Sequence, residues 1–549
     1  MLYILDATIM YLEFDKSHGS TYRRFLITPK LFVFFYSSSL GCLIPFLPVF
    51  FRLNGLSAVQ NGFLIAARYL ILFWAAPFST FVATKLNLRK IVLVVAVLLG
   101  VVANTFFLFT ADYKDHHKQK CFDNKSQIHL ATTIGPTATG PSEFYHPSSS
   151  AFNFNNTRTP YQKHINLFIY TNTTKAHDYN RRMDNFRSKF EEEIFKAVGL
   201  RFDKRFLYFL LIVSVGTFLS SPAKPLHELV PLAIIKEFKA SYNVQRLYSC
   251  MGWSLMSFVT AVVVYTLPCR FHLSQNAFDL HFCFHILFAT TALIFGALMK
   301  SPNQKSMPKF KFWRVLRVTC KNPNIVINLI AMAILGTAQS INSTYLFWYV
   351  QDLGGNELHM GAMLLISGLS KIPLLFGTKY LINWLGHGWV FVLSLFAFGC
   401  RFLLYSYSDD PVTIIPIELL HSFTSSSIWL TSMSLAAVVA PIGLERSLQN
   451  LFTASYYGLG LGCGGIMIAI AYQFYGPILV FRYAAVVCAV YCVIMALLQC
   501  LIPPPDESHG IPINGDYYKA GNNTNNQSDW LLEALNADEE EIQYSKTGK

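Results

Sequence analysis

Apolar runs of about 20 residues recur along the chain, separated by short polar or basic stretches. About 20 residues is the length an α-helix needs to cross hydrocarbon. The pattern predicts twelve membrane-spanning helices. In the first half they cover 31–51, 58–80, 89–110, 206–230, 246–268 and 281–299. In the second half they cover 324–350, 360–382, 388–407, 412–437, 449–472 and 481–502. The expected fold is all-α and membrane-embedded, with six-helix halves at 31–299 and 323–502 joined by a linker at 300–322.

Three segments stand outside the pattern. In residues 1–30, Asp6, Glu13, Asp15 and Lys16 interrupt what would have to be the apolar core of a cleavable signal, so a retained, cytosolic N-terminus is expected. Residues 111–205 are polar and rich in Ser, Thr, Asn and His, with glycosylation sequons at Asn124, Asn155 and Asn172. They read as a large, mostly disordered extracellular loop, with 181–203 fitting an amphipathic helix that feeds the fourth span. The tail, 503–549, ends acidic (Asp538 to Glu541) and is expected in the cytosol, which leaves its sequons at Asn522 and Asn526 bare. Asn342 lies inside the seventh span and should also stay bare.

Charge fixes the orientation. Loops placed inside carry Lys85, Arg89, Lys90, Lys236, Lys239, Arg246, seven linker residues between Lys300 and Lys321, Lys379 and Arg446, fifteen in all, against Arg52, Arg270 and Arg482 outside. Short loops rich in Lys and Arg stay in the cytosol. Phe310, Phe312 and Trp313 interleave with the linker charges, which fits either a segment lying on the inner leaflet or a solvated connector. A multi-pass protein, most simply of the plasma membrane with both termini cytosolic, follows. Charged residues make up 14% of the chain, against about 25% in a soluble domain, and hydrophobic residues 53%. That balance excludes a soluble enzyme or a secreted domain, and the +13 net charge, placed in loops, does not indicate a nucleic-acid partner. The 11 cysteines are scattered, with no CxxC pair and no His/Cys cluster, so neither a metal nor a cofactor is expected.

Several motifs carry a resemblance. The stretch Thr80 to Lys90 is similar to a worn copy of the loop motif of the major facilitator superfamily: Ala83, Lys85, Arg89 and Lys90 fit, whereas Thr80, Thr84, Asn87 and Leu88 depart. Tyr242-Asn-Val-Gln-Arg-Leu-Tyr-Ser-Cys-Met-Gly-Trp253 resembles the entry to the fifth helix in the branch of lactose-permease-like symporters and "MFS domain-containing protein 6" proteins. In the order of that latter group come Pro45–Pro48, Phe51-Arg52, Gly55–Ser57 and Arg68, then Asp352-Leu-Gly-Gly, Met360-Gly361, Arg401–Tyr405, Pro416–His421, Trp429, Pro441–Leu444 and the glycine-rich Tyr457–Gly465. The resemblance covers about 31–110 and 206–502 and implies a twelve-helix facilitator fold with alternating-access transport of a small solute.

Ionisable side chains at bilayer depth cost about 2.5–3.5 kcal/mol each even on insertion scales, so they need an aqueous cavity or a partner. Arg68, in the middle of the second span, either pairs with a carboxylate or lines a cavity between the halves. Lys224, His227 and Glu228 cluster toward the inner end of the fourth span, as a cytosolic gate or as a solvated helix end. Glu418 and His421 share a helix face, as a proton relay or as a buried acid bonded to its neighbour. Arg401 has Glu418 or the Asp409–Asp410 rim as partners. Lys371 stands where the resembling family has a glutamate, a charge reversal that puts ion coupling of the family's kind in doubt. Gln339, Asn342 and Tyr345 repeat at helical spacing, lining a pore or satisfying neighbouring backbone. The glycines from 458 to 465 read as helix packing, not as a phosphate loop.

The leading reading is secondary-active transport of a small solute through Arg68, Lys371, Glu418, His421, Arg401, Gln339 and Asn342, with Lys224 and Glu228 at the gate. Arg68 and Lys371 exceed what Glu418 can neutralise, which favours an anionic solute. The alternative is a cell-surface receptor or accessory protein using loop 111–205 to hold a protein ligand. No Walker A motif or hydrolytic triad is present, so neither ATP drive nor an enzyme is expected.

Overall fold

The computed structural model describes residues 20–86, 88–110, 203–237, 242–271, 278–299, 323–440 and 445–501, with Leu316 and Thr319 between them. Residues 1–19, most of loop 111–205 with its three sequons, most of the linker and the tail lie outside the described residues. Among the described residues every regular element is helical.

In the first half, α1 (Ser20–Leu43) continues through a 3₁₀ turn into α2 (Leu47–Leu53). There follow α3 (Ala58–Lys85), α4 (Arg89–Thr105), α5 (Lys204–Ser220), α6 (Ala223–Glu237), α7 (Tyr242–Phe271) and α8 (Asp279–Leu298). The second half runs α9 (Pro323–Asp352), α10 (Glu357–Leu385), α11 (His387–Ser406), α12 (Pro411–Ile417), α13 (His421–Val439), α14 (Glu445–Ala454), a π-helical segment (Ser455–Gly464) and α15 (Gly465–Leu501).

Nine stretches of the described residues are long and apolar enough to cross a membrane on their own. The remaining expected spans depart for local reasons. The third, Arg89–Thr105, has 17 residues before it loosens. The tenth is interrupted because Pro416 cannot donate a backbone hydrogen bond, and the chain tightens into a 3₁₀ turn at Glu418–Leu420. The last two form one 55-residue apolar stretch, Ser447–Leu501, broken at Gly476 (φ 74°) before Pro477. The expected span 206–230 is likewise two helices, parted at Ser221–Pro222.

Helix ends are satisfied locally. Asn356 caps α10 in a reciprocal box with His359, and Asp410 accepts from Val412 N at 3.1 Å to cap α12. Lys90 donates to Ala297 O and Met299 O at the C-terminus of α8. Two matching turns close the ends of α2 and α9 that the charge rule places outside. In the first, Leu56 N bonds Phe51 O and Gly55 takes φ 80°. In the second, Gly355 N bonds Val350 O and Gly354 takes φ 82°. This is the C-terminal cap in which a left-handed residue, easiest for glycine, satisfies the last carbonyls.

Small residues let the halves meet. Along α3 and the eleventh-span helix the contacts form an antiparallel ladder: Gly62 against Ala469, Ala66 against Gly465, Leu70 against Gly462 and Phe73 against Gly458. A second seam joins α7 to α10, where Gly361 abuts Ala261 and Gly368 abuts Ser254. Within the second half, Gly336 and Gly460 press together so closely that a Cβ on Gly460 would lie 2.6 Å from Ala333 O and from Gly336 Cα. The glycine run is thus packing, as expected, but it serves two seams at once.

Candidate functional site

Polar and charged side chains converge between the halves. Among the described residues, Arg68, Lys224, Lys371 and Arg401, with Arg246 near the start of α7, have two carboxylates within reach, Glu228 and Glu418. One of those is already engaged. Arg401, 1% exposed, donates from Nη2 to both oxygens of Glu418 at 3.0 Å. It also donates to Tyr405 Oη from Nε (3.1 Å) and Nη2 (2.8 Å), and from Nη1 to Thr424 Oγ1 (2.7 Å) and His421 Nδ1 (3.2 Å). Tyr405 Oη in turn donates to Glu418. Because Nδ1 of His421 accepts here, its proton sits on Nε2. The 3₁₀ turn after Pro416 brings Glu418 and His421 to face α11. Asp410 is occupied as a helix cap, so Arg401 turns inward to Glu418 and away from the rim. Glu418 is 4% exposed and lies in the core of the second half.

Arg68 and Lys371 are different. Each is only half-buried despite its depth, and among the described residues neither makes an ion pair or donates a hydrogen bond. Arg68 stands within electrostatic reach of Tyr36 and Tyr69. Lys371 stands near Cys250 and Arg246 of α7, and near Glu418, whose charge Arg401 already meets. Lys224 does not close on Glu228. Its ammonium sits 3.5 Å from the ring centroid of Tyr457 and 5.6 Å from that of Tyr69, a cation–π contact that crosses the halves. Glu228 is exposed, within electrostatic reach of Arg246 and Lys224. Gln339 Oε1 and both amide atoms of Asn342 are buried without a partner among the described residues.

Several participants escape a reading by charge. Tyr69, Tyr457 and Trp429 form a loose stack, with centroids 6.0 Å apart for Tyr69–Tyr457 and 5.5 Å for Trp429–Tyr457. The nearby Ser343 hydroxyl donates to Ser340 O at 3.2 Å. His281 and His285 of α8 are fully buried in the first half. His285 Nδ1 donates to Ser39 O at 2.8 Å while Nε2 accepts from Asn104 at 3.1 Å, so these histidines serve packing in that half.

The end bearing the α2 and α9 caps is closed by side-chain contacts. Arg52 pairs with Asp352 and donates to Trp348 O at 2.9 Å, with its guanidinium 5.0 Å from the Trp348 ring. Trp348 Nε1 donates to Pro48 O (2.7 Å), and Tyr345 Oη to Ala58 O (2.9 Å). Tyr345 therefore satisfies backbone and does not line a pore. A cavity of about 380 Å³ lies beside this end, lined by Asn54–Leu56, Gln60 and Asp203–Phe206.

Two glycine-sealed halves around a midplane polar site is a plan shared by many carriers, and sequence comparison decides which. The profile described as "MFS_1 like family" matches residues 26–483. The chain belongs to that family. Among its MFS_1-like relatives is the "Major facilitator superfamily domain-containing protein 6-like" of Danio rerio, 25% identical over 528 residues, covering 93% of this chain and 94% of the relative. The human protein of the same name is 22% identical, covering 83% and 86%. Among solved structures, the nucleoside transporter NupG superposes with a TM-score of 0.58 at 12% identity, covering 86% of this chain and 98% of NupG. The peptide transporter POT superposes with 0.55 at 11%, covering 87% and 94%. These likenesses establish the facilitator fold of a multi-pass membrane protein.

Proposed function

We propose that this MFS_1-like protein carries a small anionic solute across the plasma membrane by alternating access, with both termini in the cytosol. One observation carries the reading: Arg68 and Lys371, one from each half, stand half-buried at bilayer depth and form no ion pair among the described residues. Burying an unpaired charge costs several kcal/mol, and an anion arriving between the halves removes that cost at both residues together. Bridging two halves from within is also what favours an occluded state, since a solute shifts a conformational equilibrium only by its differential affinity. The transporters NupG and POT, named for nucleosides and peptides, support a carrier role for the fold. A receptor or accessory role for loop 111–205 has no comparable support. Lys224 over Tyr457 and the exposed Glu228 form the inner gate.

Uptake of radiolabelled carboxylates into proteoliposomes tests this. Arg68→Gln and Lys371→Gln should each lower uptake at least tenfold while elution and thermal stability in detergent stay near native. Neutral-solute uptake that is indifferent to both substitutions would refute the anionic assignment.

A further inference from the structure

The cations specify charge; the rings beside them specify shape. Tyr69, Tyr457 and Trp429 are nearly parallel, with interplanar angles of 23° and 28°. They come from both halves: Tyr69 from α3, Tyr457 from the π-helical segment and Trp429 from α13. All three are half-buried, not sealed in the core. Arg68 immediately precedes Tyr69, and the Lys224 ammonium already rests on Tyr457. Tyr69 and Tyr457 face each other across the boundary between halves, so they are the pair that parts when the halves rock. Parting two parallel rings opens a slot with flat apolar walls and positive charge at its edge. Aromatic faces prefer offset stacking at centroid separations of about 4.5–7 Å, so a planar ring entering the slot replaces the contact being lost.

We propose that the solute is a flat aromatic anion, its ring inserted at Tyr69, Tyr457 and Trp429 and its charged group held by Arg68 and Lys371. This rests on the transporter reading above and narrows it. A cationic ring would meet Lys224, Arg68 and Lys371. A neutral polyol would leave those charges unpaired and offers no flat face. Gln339 Oε1 and the amide atoms of Asn342, buried without partners among the described residues, sit on α9 one helical turn apart and could bond a polar ring substituent.

The full-length protein, purified in detergent and reconstituted, is titrated with 2-naphthoate, cyclohexanecarboxylate and 2-naphthylmethylamine, and labelled 2-naphthoate is followed into proteoliposomes. Naphthoate should bind at least tenfold more tightly than cyclohexanecarboxylate, and the amine should not compete. Trp429→Leu and Tyr69→Leu should each erase about tenfold of naphthoate affinity, the equivalent of about 1.4 kcal/mol of ring stacking, while leaving cyclohexanecarboxylate unchanged. Trp429→Phe should restore most of it, and that variant decides the matter if the leucine forms fold poorly. Equal binding of the two carboxylates overturns the flat-ring assignment and leaves anion transport standing. Preference for the amine overturns the charge assignment. Accumulation of neither carboxylate, with neither bound, overturns both.

Discussion

Removing either member of the Arg401–Glu418 pair should destabilise the second half strongly, and removing both should not. Both side chains are at most 5% exposed, and Glu418 receives Arg401 Nη2 on both oxygens at 3.0 Å. Opposite charges about 4 Å apart attract by about 4 kcal/mol at an effective dielectric of 20, in line with the 3–5 kcal/mol typically lost when one partner of a buried pair is removed. Arg401→Met leaves Glu418 with Tyr405 alone. Glu418→Leu leaves a guanidinium in the core with only hydroxyls and His421 to receive its protons. Each single variant should lose about 3–5 kcal/mol. The double variant sheds both charges and leaves only Tyr405, Thr424 and His421 to find new partners, at about 1 kcal/mol each, so it should lose no more than a single variant, about 3 kcal/mol, and the coupling energy of the cycle should reach at least about 3 kcal/mol. The assay is equilibrium unfolding in mixed detergent, followed by tryptophan fluorescence for the native protein, both singles and the double. Single variants of native stability that nonetheless abolish uptake would refute a structural pair and return Glu418 to the solute pathway.

Three further outcomes are expected. Lys371→Ala should weaken carboxylate binding at least tenfold with native surface expression, and a second change at Glu418 should not rescue it, because Glu418 answers to Arg401; binding and flow cytometry on the single and double variants check this. Arg52→Ala should raise outside labelling of a cysteine placed at Asn342 about fivefold, since a partly exposed pair contributes at most about 1 kcal/mol, whereas the swap Arg52→Asp with Asp352→Arg should return labelling to the native level. Gly62→Val should open the outer side by the same labelling assay with little loss of thermal stability, while Gly460→Val, whose Cβ meets the backbone of α9 inside one half, should lower the melting temperature and yield of folded protein.

The spans were legible because hydrophobic length alone decides whether a helix can cross a bilayer. The breaks were less so. Pro416 signals an interruption, yet nothing in its neighbours says that the turn delivers Glu418 to Arg401, since those residues lie on different helices whose rotation depends on packing. Asp409 and Asp410 were equally plausible partners by sequence until the helix cap at Asp410 claimed its carboxylate. Arg68 and Lys371 stood out because charge at bilayer depth is rare. Tyr69 and Tyr457 did not, being two among 28 tyrosines, and the contacts that mark them come from four distant stretches of chain. The Arg52–Asp352 latch joins two motifs that the sequence offered separately, 300 residues apart.

The matching glycine caps at the ends of α2 and α9 occupy equivalent places in the two halves, yet one carries Arg52 and the other Gln351 and Asp352. Two copies of the first half, brought together as the halves are, would set arginine against arginine; two copies of the second would set carboxylate against carboxylate. Only the mixed pairing closes the outer end. A chain cut in the linker and produced as two polypeptides should therefore reassemble as a one-to-one pair and reject its own copies, and a reversal of charge at a single cap should abolish that choice.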